Sequence, residues 1–154
     1  MCLIIDANVV HKVFPHPTSD FAPVHSAVVG GGARIVYGGK LTREYEKMTS
    51  FRRYLLRLDQ QGRARQVPDA KVDAETARVA CAGRCVSDDP HIIALALVGQ
   101  VRLLCSEDAD LETDFTNTAL LRKPRGNVYK RAAHAALITK HCGRHKSRSR
   151  VHPN

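Results

Sequence analysis

Leu3-Ile4-Ile5-Asp6-Ala7-Asn8 is a short run of large apolar residues that stops abruptly on a carboxylate. Continuous rather than alternating hydrophobicity marks a strand covered on both faces, as in parallel sheets. The pattern returns near the other end of the chain, where Val101–Cys105 leads into Ser106-Glu107-Asp108-Ala109-Asp110. Between these two runs lies Ala33–Tyr37, a further strand candidate, and Arg63–Val67, a short strand or loop. Arg84-Cys85-Val86 is a possible short strand. Helical segments fill the gaps. Ala7–Phe14 is a short helix ended by Pro15 and Pro17, and Thr18, Ser19 and Asp20 offer caps for one reaching Val29. Lys40–Leu58 carries Leu41, Tyr45, Met48, Phe51, Leu55 and Leu58 at helical spacing. Asp69–Ala82 is stopped by Gly83, Asp89–Val98 by Gly99, and Glu107–Asp114 forms a short acidic helix. Residues 116–127 read as irregular, and Val128–Lys140 as a strand turning into a helix. Strands alternating with helices predict an α/β fold with a mainly parallel sheet. In such sheets ligands bind beyond the carboxyl ends of the strands.

Two acids follow strand candidates directly: Asp6 after Ile5, and Asp108 after Cys105-Ser106-Glu107. Two more fall on apolar stripes. Glu44 lies three residues after Leu41 and four before Met48, whereas Glu46 shares its face with Thr42, Arg43, Thr49, Ser50 and Arg53. Asp89 shares a face with Ile92, Ile93 and Ala96. A carboxylate on a core-facing stripe is costly unless it is paired, hydrogen-bonded or bound to metal. Each acid also has a simpler role open to it. Asp89 precedes Pro90 as a helix cap would, Asp108 and Asp110 suit a helix N-terminus, Glu44 a boundary position, and Asp6 a strand-end cap. The joint pattern is more specific than any member: four acids from four elements, with no Lys or Arg placed to neutralise them all. Clustered carboxylates repel, and hard divalent cations such as Mg²⁺ or Mn²⁺ are the usual remedy. A site of that kind activates water against a phosphodiester.

The charge is unevenly divided. Residues 1–114 hold 14 Lys+Arg and all 15 acids, and residues 115–154 hold 10 Lys+Arg and no acid, so the +9 of the 154-residue chain sums a near-neutral body and a basic end. Cationic side chains bind a phosphate backbone by releasing counterions, without reading sequence. Arg122, Lys123, Arg125, Lys130 and Arg131 are the candidate backbone contacts. Lys140, Arg144, Lys146, Arg148 and Arg150 continue the run into a tail that reads as disordered, for which simple solvation is the competing role. Only Tyr129 stands among these charges, so base stacking adds little.

Nothing in the sequence suggests a membrane. The longest apolar run, Ile92–Val98, falls well short of the ~20 residues a spanning helix needs. No basic segment precedes the apolar start, so no signal peptide is expected, and the cytoplasm is the expected compartment. The five cysteines are then expected as reduced thiols. Cys81-x-x-x-Cys85 and His141-x-x-x-His145 have zinc-ligand chemistry, but the pairs lie far apart, and ordinary thiols and surface histidines are expected. His91 is expected on a helix surface near the acids. Gly30–Gly32 and Gly38-Gly39 read as turns, because no Gly-x-x-x-x-Gly-Lys completes a phosphate loop. No Gly-x-Ser-x-Gly offers a serine nucleophile.

Taken with their flanks, these motifs resemble PIN-domain ribonucleases, especially small toxins of VapC type, over roughly residues 1–130. Leu3-Ile4-Ile5-Asp6-Ala7-Asn8 resembles that family's strand followed by Asp-x-Asn/Ser. Glu44 stands where the family carries an acid early in a helix. Asp89-Pro90-His91-Ile92 resembles its Asp-x-x-Ile segment, and Ser106-Glu107-Asp108-Ala109-Asp110 its Thr/Ser-x-Asp with a second acid. The resemblance implies a three-layer α/β/α nuclease domain over residues 1–140 with a basic tail at 141–154. It implies metal-dependent endonucleolytic cleavage of RNA, leaving 5′-phosphate and 3′-hydroxyl ends. Asp6, Glu44, Asp89 and Asp108 would hold Mg²⁺ or Mn²⁺ with help from Asp110, and Asn8, Ser106 and Asp88 would be hydrogen-bonding neighbours. An antitoxin partner and a homodimer belong to the same expectation. The sequence departs from the family pattern in three places. Asp88 beside Asp89 leaves the third ligand open, with the spacing favouring Asp89. Ser106 replaces the more frequent Thr, and the end is longer and more basic. A non-catalytic RNA-binding module of the same fold and a structure-specific DNA nuclease are the rival functional classes.

Overall fold

The computed structural model describes residues 2–151, with side chains described through residue 143. Five short strands form the sheet: β1 (Ile4–Ile5), β2 (Ile35–Tyr37), β3 (Ala64–Gln66), β4 (Leu103–Cys105) and β5 (Asn127–Tyr129). Every pairing between them is parallel. β4 lies between β1 and β5, with Leu104 opposite both Ile4 and Val128. β2 pairs with β3, Val36 opposite Arg65. A single bridge from Leu3 to Ile35 joins the two groups, through Leu3 N–H to the Arg34 carbonyl at 3.2 Å and Val36 N–H to the Leu3 carbonyl at 2.8 Å. The strand order is therefore β3-β2-β1-β4-β5. β1, β2 and β4 are wholly buried, as their unbroken apolar runs demand.

The helices are α1 (Val10–Val13), α2 (Ala22–Val29), α3 (Lys40–Glu46), α4 (Thr49–Gln60), α5 (Asp69–Ala82), α6 (Pro90–Gly99), α7 (Ala109–Phe115) and α8 (Ala136–Val151). α6 is apolar on nearly all sides, because it packs along α5 and over the sheet: a methyl added at Gly99 would stand 3.3 Å from Val36. Ile92, Ile93, Ala94, Leu95 and Ala96 are all buried. Burial of this kind stabilises by about 25 cal/mol per Å² of apolar surface. The α/β class and parallel sheet match expectation. Among the described residues, no helix is long and apolar enough to cross a membrane.

Several local expectations are corrected. The Lys40–Leu58 segment is two helices, broken at Lys47-Met48. Tyr45 and Phe51 both belong to the core yet stand six residues apart, off a single helical face. The break lets them meet edge to face, with ring centroids 5.0 Å apart. Arg84–Val86 is a loop rather than a strand, because Val86 N–H and Ser87 N–H donate to the buried Asp114 carboxylate at 2.9 Å each. α2 starts later than its expected cap, because Asp20 serves the other end of the chain: its carbonyl accepts the Tyr129 hydroxyl at 2.6 Å and its carboxylate the Ala132 N–H at 3.3 Å.

The cysteines bring a further correction. Cys2 and Cys142 form a disulfide across a sequence separation of 140 residues, with both residues buried. No local pattern announces it, because only the fold brings the two ends together. Cys81, Cys85 and Cys105 are free. The tail expected to be disordered from residue 141 falls mostly on side chains outside the described residues; the backbone of α8 runs to Val151.

Candidate active site

Because all strands run one way, the segments that leave β1, β2, β4 and β5 gather on one edge of the sheet. Asp6 directly succeeds β1 and is only 6% exposed. Its Oδ2 accepts the Ser106 hydroxyl at 2.9 Å and its Oδ1 the Asn8 backbone N–H at 3.4 Å. Ser106, the first residue after β4, is fully buried, and its Oγ also accepts the Asp108 N–H at 3.1 Å. One hydroxyl thus links the ends of β1 and β4. Burial raises the Asp6 pKa, and Asp89 and Glu44 push it further the same way, against the hydrogen bonds from Ser106 and Asn8.

Glu44 arrives on α3. That helix starts at Gly38-Gly39, where Gly39 has φ +64°, a left-handed conformation suited to glycine. A methyl there would also strike Val72 at 2.6 Å. Asp69 at the start of α5 anchors the turn, its Oδ1 accepting both Gly39 N–H and the Thr42 hydroxyl at 2.8 Å. Glu44 is one-third exposed at its side chain, and its Oε1 stands 3.1 Å from His91 Nε2.

Asp89 and Asp108 both occupy helix N-cap positions and use them differently. Asp108 caps α7: its Oδ1 accepts Asp110 N–H at 2.9 Å and Leu111 N–H at 3.1 Å. Asp89 makes no side-chain cap bond to α6. Its Oδ1 stands 3.9 Å from His91 Nδ1. Burial raises its pKa; His91 and Lys40 oppose the rise, and Glu44 and Asp108 add to it. Asp6, Glu44 and Asp89 are therefore in electrostatic reach of one another, and Asp108 is in reach of Asp89. Asp88 and Asp110 are exposed, and neither carboxylate joins the hydrogen bonds about Asp6; Asp110 gives its backbone N–H to Asp108. Asn8 likewise contributes its backbone.

His91 corrects the expectation of a surface histidine. It is 2% exposed, the one polar side chain in the buried run from residue 91 to residue 96. Burial lowers its pKa, with Glu44 and Asp89 resisting. The available signal for its burial is its place directly before the unbroken apolar run Ile92–Val98 on the same helix. Asp114 was also missed. It lies three residues after buried Leu111 and beside buried Phe115, the same stripe logic that flags Glu44, and its carboxylate holds the loop that delivers Asp89.

The expected backbone contacts divide. Lys130 and Arg131 come after β5 on the acidic edge, next to Ser106, whose N–H donates to the Tyr129 carbonyl at 3.2 Å. Lys130 is paired with Glu112 at 2.7 Å. Arg122, Lys123 and Arg125 precede β5 and lie at the opposite edge, where Arg125 Nε donates to the Thr116 carbonyl at 3.0 Å and Arg102 Nε to the Pro124 carbonyl at 3.1 Å. Two cations from the near-neutral body stand by the acids instead: Lys40, opposing the rise at Asp89, and Lys12, paired with Glu107 at 2.6 Å.

Among the described residues, no group of three or more His, Cys, Asp or Glu side chains stands close enough as placed to hold a metal ion. The donor chemistry nevertheless suits a hard cation: carboxylate oxygens, partly buried, two of them held against their ordinary ionisation. Cys81, Cys85 and His141 belong to no such group among the described residues, and His145 lies outside the described side chains. A cavity of about 510 Å³ lies between α3, α4 and the ends of β2 and β3; Tyr37, Tyr45, Arg52 and Asp59 are among its lining residues, and none of the four acids is. No protein-family model matches this chain, and no curated protein or solved structure matches it.

Proposed function

We propose that this protein is a metal-dependent endoribonuclease of PIN type, working at the carboxyl edge of its parallel sheet. One observation carries the reading: the buried Asp6 carboxylate, fixed by Ser106, shares that edge with Glu44, Asp89 and Asp108 from three other elements. Mutual repulsion among these groups is the signature of a place meant for positive charge. Asp6, Glu44, Asp89 and Asp108 would hold Mg²⁺ or Mn²⁺. When bound, the ion neutralises the acids, activates water and stabilises the leaving oxygen of a phosphodiester.

The chain's own residues supply position. Ser106 fixes the Asp6 carboxylate, and the backbone amides of Asp110 and Leu111 hold Asp108. Lys12, Lys40, Lys130 and Arg131 flank the acids and offset the repulsion a phosphate backbone would meet there. RNA is the substrate under this reading. A toxin role, an inhibiting antitoxin and a homodimer come with the PIN resemblance.

The test is cleavage of a synthetic RNA in Mn²⁺. Wild type releases fragments with 5′-phosphate and 3′-hydroxyl ends, and EDTA or Asp6→Asn abolishes them. Cleavage that survives both refutes the reading. Competition by single- and double-stranded DNA at fixed salt separates it from a DNA nuclease.

A further inference from the structure

His91 is the unexplained group of this site. It sits in a helix whose neighbouring residues are buried and apolar, and a polar ring in such a run is costly unless its nitrogens are used. Both face carboxylates: Nε2 is 3.1 Å from Glu44 Oε1 and Nδ1 is 3.9 Å from Asp89 Oδ1. The first distance is a hydrogen bond; the second is not. A neutral ring protonated on Nε2 donates to Glu44 and stands between two like charges from two different helices. Removing it would leave Glu44, one-third exposed, without this anchor and Asp89 facing a gap.

We propose that His91 is a positioning residue that holds Glu44 in register with Asp89 for a divalent cation. This rests on the metal-site reading above and deepens it. In this role the ring acts through Glu44, on whose carboxylate its Nε2 is spent. Its work is what a hydrogen-bonded neighbour does at other metal sites: it fixes the rotamer of an oxygen donor, so less ordering remains when the ion arrives. Loss of such a partner typically weakens metal affinity by roughly 10–100-fold.

The experiment titrates the full-length protein with Mn²⁺ alone, reading free Mn²⁺ by electron paramagnetic resonance. Four proteins are compared: wild type, Asp6→Asn, His91→Ala and His91→Gln. Wild type binds and Asp6→Asn does not. His91→Ala binds roughly 10–100-fold more weakly. His91→Gln, whose amide can still donate to Glu44, recovers most of that loss. Single-turnover cleavage of a short RNA by His91→Ala approaches the wild-type rate once Mn²⁺ saturates, which a packing defect alone would not produce. Unaltered Mn²⁺ affinity in His91→Ala, with wild type still bound and active, overturns the His91 assignment and leaves the nuclease reading intact. Absence of any Mn²⁺ site that Asp6→Asn removes overturns both.

A measurement on the unmodified protein covers the case of a His91→Ala chain that does not fold. Nitrogen-15 spectra of the histidine rings should show the Nε2–H tautomer at His91, and its ring nitrogens should shift as Mg²⁺ is added. The Nδ1–H tautomer, or ring signals indifferent to Mg²⁺ while cleavage is supported, overturns the proposal.

Discussion

The two edges of one sheet differ in everything but the strands they share. At the carboxyl edge stand acids from four elements, three of them fixed differently: Asp6 by a buried hydroxyl, Asp108 by backbone amides, Glu44 by an imidazole. At the amino edge stand Arg122, Lys123 and Arg125, and α8 returns there, His141 Nε2 reaching Asn127 Oδ1 at 2.9 Å and Cys142 bonded to Cys2. Charge counted along the chain groups Lys130 and Arg131 with Arg122. The fold separates them and puts Lys12 and Lys40 beside the acids instead. One edge gathers carboxylates from four elements; the other is tied down by a covalent bond.

The largest expected effect breaks the carboxyl edge. Asp6→Asn should lower the Mn²⁺-supported cleavage rate by roughly a thousandfold or more, about 4 kcal/mol of barrier. The double change Arg122→Ala with Lys123→Ala should leave the single-turnover rate on a short RNA within about threefold of wild type, since each exposed cation acts mainly through screened, long-range charge. A collapse of activity in the double variant would mean that substrate reaches the acids across the amino edge.

Next in size is the amino-edge tie. Cys142→Ser, or full reduction, should lower unfolding free energy in urea by about 2–5 kcal/mol, because the crosslink closes almost the whole chain and restricts the unfolded state. Under conditions where the variant remains folded, cleavage should persist. A loss of activity without a loss of stability would couple the two edges.

Smaller effects sharpen the division of the cations. Arg131→Ala should reduce the salt dependence of RNA binding by about 0.7 in the log–log slope if the guanidinium meets one phosphate of a single strand, and Arg122→Ala should not. Equal slopes for the two would erase the distinction drawn between the edges. Smallest is a stability effect of the acids themselves. Asp6 and Asp89 have folded pKa values raised above the ordinary 3.8, so their burden on the metal-free fold is absent at low pH and grows as pH rises through the folded values. In EDTA at neutral pH, Asp6→Asn should therefore be more stable than wild type, by about 1 kcal/mol. The advantage should shrink to nothing below about pH 4, measured by thermal unfolding against pH.

The elements legible in the sequence are those with local signals. α5 ends where Gly83 adopts φ +65°, and β4 lies within its apolar run. The four acids were legible because two come after buried strands and two interrupt apolar stripes, and parallel pairing then does the rest. What stayed hidden depends on contacts between distant segments. Nothing near residue 2 points to residue 142. Asp20 looked like a cap because its partners lie beyond residue 128. The break at Met48 reflects Tyr45 meeting Phe51, a tertiary contact that helical spacing does not contain. His91 reads as a surface residue because its partner Glu44 sits on another helix.

The most direct measurement is anomalous diffraction from crystals of the active protein soaked in Mn²⁺. Manganese should appear among the carboxylates of Asp6, Glu44, Asp89 and Asp108, and be absent from Asp6→Asn crystals soaked alongside. RNA cleavage by a protein whose four carboxylates carry no manganese in such crystals would contradict the metal mechanism.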